Sequence, residues 1–254
     1  MNLVKATMSG VNEMTDIRKL LEIMARYRFA EIGVQVNENK CNFGSRRYNW
    51  LHGLVVQANY QHQAVNAALH INPSWVEEFG QGYLVPELQQ LLSLRNCLGN
   101  PFFGRIQLNF KVGRDRTPDI YRMFQLMQNY STRRFILSYN DANAEIIEQI
   151  RDLSRGFAVG IDLLFDDSHG EGIAPAKRKP VVYKDWVQGY AGGIGPHNVE
   201  TVLDEIARLE SKRHSYAGIT IDAECKLKCS EGYVDLDRCI EYLQAVEYWM
   251  RRNP

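Results

Sequence analysis

The feature that most constrains this chain is an alternation: short β-branched or apolar runs recur at near-regular intervals, most of them followed by a longer stretch with helical spacing. The strand-like runs are Leu3–Thr7, Phe29–Val36, Ala64–Ile71, Arg105–Phe110, Arg134–Tyr139, Ala158–Phe165, Trp186–Gly192 and Tyr216–Ile221. Between them, apolar residues fall three and four apart, as in Ile17, Leu20, Leu21 and Met24, and again in Val199, Val202, Leu203 and Ile206, so each stretch has one face to pack on a sheet. Pro86 opens Glu87–Leu94 and Pro118 opens Asp119–Gln128, where a proline suits the first helical turn. Gly160–Phe165 is apolar apart from Asp162, as a strand buried on both faces should be.

Eight βα units without a Gly/Ser/Pro-rich linker predict an α/β protein with one closed (β/α)8 barrel of the TIM type, residues 1–254 forming a single domain. An open doubly wound sheet would want a glycine-rich first turn, and Met8-Ser9-Gly10 is a poor one.

The 254 residues carry 30 Lys and Arg against 30 Asp and Glu, so no excess charge draws the chain to nucleic acid or an anionic membrane; a small-molecule partner is expected. The N-terminus has no basic segment followed by an apolar one, and no stretch is apolar for long enough to span a bilayer; a cytoplasmic location is expected. The five cysteines are scattered and odd in number, which predicts reduced thiols. Cys225 and Cys229 lack the second Cys or His pair that a structural zinc site needs.

In such a barrel the chemistry sits at the carboxyl ends of the strands. The seventh run leads into Gly192-Gly193-Ile194-Gly195 and then a helix starting near Asn198, an arrangement whose backbone N–H groups and helix dipole suit an anion such as phosphate. The sixth leads into Asp166-Asp167-Ser168-His169-Gly170-Glu171-Gly172, where paired ionisable groups can shift each other's pKa and act as general acid or base. Ser45-Arg46-Arg47-Tyr48 reads as a loop able to bring an arginine to a carboxylate or phosphate. Gln107 and Asn109 alternate on the fourth strand, and His70, Asn72, Asp222 and Glu224 lie at the ends of the third and eighth. Asp167, His169, His70 and Glu224 leave a divalent-metal site open as an alternative.

Taken in order along nearly the whole chain, these strand ends resemble phosphoribosylanthranilate isomerase, an enzyme of tryptophan biosynthesis. Ile32-Gly33-Val34 followed by Ser45-Arg46-Arg47-Tyr48 is similar to the family's second strand and Ser-x-Arg-Tyr loop, which implies that Arg47 contacts substrate. Gln107-Leu108 resembles the start of its Gln-Leu-His-Gly, implying a substrate contact at Gln107. Phe165 to Gly172 resembles a Leu-Leu-Asp-Thr strand end and a later Gly-Gly-Thr-Gly loop. That match implies Asp167 as the catalytic aspartate, with Asp166 the one-residue alternative, His169 near substrate, and Gly170 and Gly172 near phosphate. Ala191 to Val199 is close to Ala-Gly-Gly-Ile-Asn-Pro-Glu-Asn-Val, the most specific match, implying phosphate binding by Gly192 and Gly193.

Two positions depart from the family. Thr7 stands where Lys-Ile-Cys-Gly carries the family's general base, and a threonine hydroxyl is too weak an acid to act as a base unaided. Asp222 and Glu224 fall in the segment aligned with Ser-Gly-Val-Glu, whose backbone completes the family's phosphate cup. The resemblance implies an Amadori rearrangement of a phosphorylated aminoaldose to an aminoketose, with no cofactor, Asp167 as acid, and Asp222, Glu224 or Cys41 open as the replacement base. A phosphosugar-binding barrel without turnover and a metal-dependent barrel enzyme are the alternatives.

Overall fold

The structure is a computed structural model and describes residues 1–110, 117–166, 172–212 and 217–253. Eight parallel strands close a barrel in chain order: β1 Leu3–Ser9, β2 Ala30–Val36, β3 Ala67–Ile71, β4 Arg105–Leu108, β5 Arg134–Tyr139, β6 Gly160–Phe165, β7 Val187–Tyr190 and β8 Ile219–Ala223. All eight expected strands are present, β8 running to Ala223, two residues past the expected end. The helices are α1 Ile17–Arg26, α2 Arg46–Tyr60, α3 Pro73–Gly80, α4 Pro86–Ser93, α5 Ile120–Asn129, α6 Ala144–Ser154, α7 Val199–Lys212 and α8 Leu236–Arg252.

Three local expectations are corrected. Ser45-Arg46-Arg47-Tyr48 is the start of α2: the Ser45 hydroxyl caps it by accepting from the Tyr48 backbone N–H, which satisfies a donor that an uncapped helix would leave orphaned. Pro118 lies just outside α5, whose cap is Asp119 accepting from the Arg122 N–H. Two helices, α3 and α4, connect β3 to β4, whereas among the described residues none connects β6 to β7.

The chain divides into two compact units, Met1–Gly33 with Asp162–Pro254, and Val34–Ile161. In the first, β1 pairs with β2 and β8, and β7 with β6 and β8. Its outer apolar faces are Ala6 and Met8 on β1, Ala30 and Ile32 on β2, and Ile219, Ile221 and Ala223 on β8, all buried. By the two-residue alternation of a strand, Lys5, Thr7 and Ser9 share the opposite face of β1 with Glu31 of β2 and Thr220 and Asp222 of β8. Helix α8 buries Leu236, Cys239, Tyr242, Leu243, Val246 and Trp249, and the Trp249 indole donates to Asp204 on α7 at 2.7 Å. In the second unit β3 pairs with β4 and β4 with β5, and α2 buries Tyr48, Leu51, Leu54, Val55 and Ala58.

Candidate functional site

Strand register sets the site in the first unit. Phe165 pairs with Tyr190 and Tyr190 with Ile221, so the next step along each strand brings Asp166, Ala191 and Asp222 to one level. Asp222 pairs with Thr7, and Thr7 with Glu31, extending that level to β1 and β2. One rung at the carboxyl ends therefore carries three acids, a hydroxyl and a methyl.

The polar contacts follow from this spacing. Ser9 Oγ donates to Asp222 Oδ1 at 2.6 Å, and Thr7 Oγ1 donates to Glu31 Oε1 at 3.0 Å. Thr7, Ser9 and Glu31 are buried, while Asp222 and Asp166 are half-buried at the strand ends. Above Asp222, Lys228 Nζ donates to Glu224 Oε1 at 2.7 Å, and this half-buried pair lies against Gly10 at the end of β1. Gly10 has φ +89°, so the turn needs glycine for its backbone, and the Lys228 and Glu224 side chains lie against it.

Burial pushes the Asp222 carboxyl up to about 7; the Ser9 hydrogen bond opposes this, and the negative charges of Glu224, Asp166 and Glu31 add to it. A carboxyl that gains and loses a proton near neutral pH can act as acid in one step and base in the next. Cys225, half-buried after β8, is pushed in the opposite sense to a reactive thiol, its pKa raised by burial and by Glu224.

The glycine turn after β7 is held from two sides. Gly192 and Gly193 have φ +86° and +65°, and a side-chain carbon on them would fall 2.6 Å from the Ile173 carbonyl oxygen and 2.8 Å from Ala174. Glycine is needed there because residues 173–174, the continuation of the sixth strand's loop, lie directly on the turn. The buried Arg178 guanidinium donates to the carbonyls of Ala191 and Gly192 at 3.1 and 3.3 Å, and it pairs with Glu205 on α7 at 3.4 Å. Asn198 closes the turn by accepting from the Gly195 N–H and donating to the Gly193 carbonyl, both at 2.9 Å. Gly172 packs against the Cys225 sulfur.

The expected residues are distributed as follows. Thr7, Asp166, Asp222 and Glu224 lie in the first unit, where Gly192 and Gly193 form the turn after β7 and Gly172 lies against Cys225. Asp167, His169 and Gly170 lie outside the described residues. Arg47 is buried in the first turn of α2 and donates to the Gln35 carbonyl of β2 at 3.0 Å. Gln107 is buried on β4, its amide donating to Asn109. Cys41 is buried. Among the described residues, no three His, Cys, Asp or Glu side chains stand together as metal ligands, and no helix is long and apolar enough to cross a membrane.

Sequence reasoning missed Glu31, Ser9 and Lys228. Glu31 had a signal: it is the one charged residue in Ala30–Val36, a strand whose other residues are apolar except for Gln35. A carboxyl placed in such a strand is buried, and buried acids are paired or functional. Ser9 had none, because its partner Asp222 lies 213 residues away, whereas Lys228 stands four residues after Glu224, a local spacing that sequence could have offered.

No protein-family model matches this chain, and no curated protein matches it. Among solved structures, it is similar to phosphoribosyl anthranilate isomerase from Thermus thermophilus, with a TM-score of 0.50 over 96% of this chain and 98% of that one. The two sequences are 11% identical, so the likeness is one of fold: this chain is a (β/α)8 barrel built like that isomerase.

Proposed function

We propose that this protein catalyses a proton-transfer isomerisation of a phosphorylated sugar derivative, an aldose–ketose rearrangement of the Amadori type, with Asp222 as the proton carrier. The observation that carries the reading is the Asp222 carboxyl: partly open at the strand ends, hydrogen-bonded to Ser9, and titrating at about 7 among Glu224, Asp166 and Glu31. The rearrangement needs one proton delivered to the ring oxygen to open the sugar and one removed from C2 of the resulting iminium. The substrate nitrogen takes up the electron pair, so no cofactor is called for.

In this reading Asp222 removes the C2 proton and Asp166 or Asp167 delivers the first one. Thr7 does not replace the cysteine chemically; its hydroxyl is donated to Glu31, whose carboxylate brings a base to that end of β1. The phosphate is given to the start of α7 and to the backbone of the Gly192–Gly193 turn on the side that Ile173 and Ala174 do not cover. A binding barrel without turnover is the second reading, favoured by the commitment of the Thr7 hydroxyl to Glu31.

The test is turnover of freshly generated phosphoribosylanthranilate, followed by loss of its anthranilate fluorescence. Turnover above the spontaneous rate that drops about 10²- to 10⁴-fold in Asp222→Asn supports the proposal, that being the usual contribution of one general acid–base group. Turnover that survives Asp222→Asn but not Asp167→Asn moves the role to Asp167. No turnover by the wild type overturns this substrate and leaves the binding barrel.

A further inference from the structure

A second cluster, made entirely of uncharged groups, occupies the carboxyl ends of β3 and β4. Register places His70 beside Gln107 and Ile71 beside Leu108, so Asn72 and Asn109 come next on the two strands. Their backbone N–H groups donate to Val36 and Ile71, which carries the sheet ladder one rung past its last assigned residues and fixes both amides on one face.

The side chains form a directed chain. Gln107 Nε2 donates to Asn109 Oδ1 at 2.7 Å, and Asn109 Nδ2 donates to Asn72 Oδ1 at 2.6 Å. A primary amide has two N–H donors and an oxygen with two lone pairs, so two bonds among three amides leave donors at Asn72 and an acceptor at Gln107 unused. Asn72 and Asn109 are half-buried, which leaves that capacity open to a ligand.

Beneath them His70 is 3% exposed, and its Nε2 is buried without a hydrogen-bond partner. Buried polar groups in native interiors are nearly always hydrogen-bonded, so an orphaned one calls for a partner. Among the described residues it is the one strand side chain in this condition; the other orphaned atoms belong to helices and loops. Burial and the Arg105 charge push the His70 pKa down to about 3, so the ring is neutral at any working pH and offers one donor and one acceptor.

We propose that Asn72, Asn109, Gln107 and His70 form a subsite for sugar hydroxyls, the ligand filling the unused amide positions and satisfying the His70 ring directly or through one bridging water. Hydroxyls fit because each both donates and accepts, as the amides and a neutral imidazole do. No side chain of the four bears a charge, so the subsite does not select a phosphate. The proposal rests on the sugar-derivative reading above for its class of ligand, and the hydroxyl contacts it names lie within Val34–Ile161.

The test is nitrogen NMR of protein labelled with ¹⁵N-histidine, the His70 signals being assigned with His70→Gln. D-ribose, D-ribose 5-phosphate and inorganic phosphate are titrated separately. Both sugars are expected to shift the His70 ring nitrogens and inorganic phosphate to leave them unmoved, and Asn109→Leu is expected to abolish the response to D-ribose while the other histidine signals stay in place. Should Asn109→Leu fail to fold, Asn72→Ser at the half-exposed end of the chain serves instead, with the same loss expected. A His70 signal that ignores both sugars, moves equally with inorganic phosphate, or responds undiminished in the amide variant overturns the subsite. Sugar phosphate turned over with His70 silent would sink the subsite alone; a His70 response to D-ribose in a protein that turns over no aminoaldose phosphate would sink the isomerase reading alone.

Discussion

Replacing Asp222 by asparagine should make the protein more stable at pH 8 than the wild type and leave the two nearly equal at pH 4. The carboxyl titrates at about 7 in the fold against an ordinary 3.8. Its folded pKa is raised, so the folded state holds the proton more tightly than the unfolded chain. The stability this confers is fully present below about pH 4 and is lost as the pH rises through 7. A shift of roughly three units corresponds to an upper limit near 4 kcal/mol. Asparagine keeps an oxygen to accept from Ser9 and cannot ionise, so it avoids the loss. Urea denaturation of both proteins at intervals from pH 4 to pH 8 measures the difference; groups common to both cancel. A flat difference across that range would refute the claim that Asp222 is the strained acid of the site, and a difference growing toward low pH would reverse its sign.

Three further outcomes follow from the same geometry. Ser9→Ala removes the hydrogen bond that holds the Asp222 pKa down, so the carboxyl titration followed by carbon NMR should move to higher pH; a move to lower pH contradicts the assignment. Gly193→Ala puts a methyl 2.8 Å from Ala174 on a backbone at φ +65°, and should cost about 1–3 kcal/mol in urea denaturation. Trp249→Phe deletes the indole bond to the Asp204 carboxylate and should cost about 1.5–3 kcal/mol, the range for hydrogen bonds to charged groups; a fall below half a kcal/mol would show that the α7–α8 packing does not depend on it.

Much of the fold was legible in the sequence because its signals are local. Alternation of β-branched runs with three-and-four spacing produced the eight strands, since a strand buried on both faces can be little else. The helix at Arg46–Tyr60 was misread as a loop at its start because Ser45-Arg46-Arg47-Tyr48 looks polar; only the Ser45 hydroxyl bonded to the Tyr48 N–H shows that polarity to be a cap. Pro118 likewise fits a first turn by residue type, and Asp119 takes the cap because its carboxylate reaches the Arg122 N–H.

The site divides along the same line. Sequence alone determined which groups lie at strand ends, Thr7, Asp166, Asp222 and Glu224 among them, because the end of a strand is a one-dimensional property. Which of these meet is a matter of register between strands far apart in the chain, and that belongs to the tertiary structure. Register set Thr7 between Glu31 and Asp222, and the close packing of β1 on β8 let Ser9 donate across 213 residues. The Asp222 pKa comes from burial and from three neighbouring acids, on β2, just after β6 and just after β8, a sum that no single stretch of sequence contains. The glycines after β7 showed that something approaches the backbone closely; the structure shows that Ile173 and Ala174 of the chain itself do so, because a glycine leaves the same space for a peptide as for an anion.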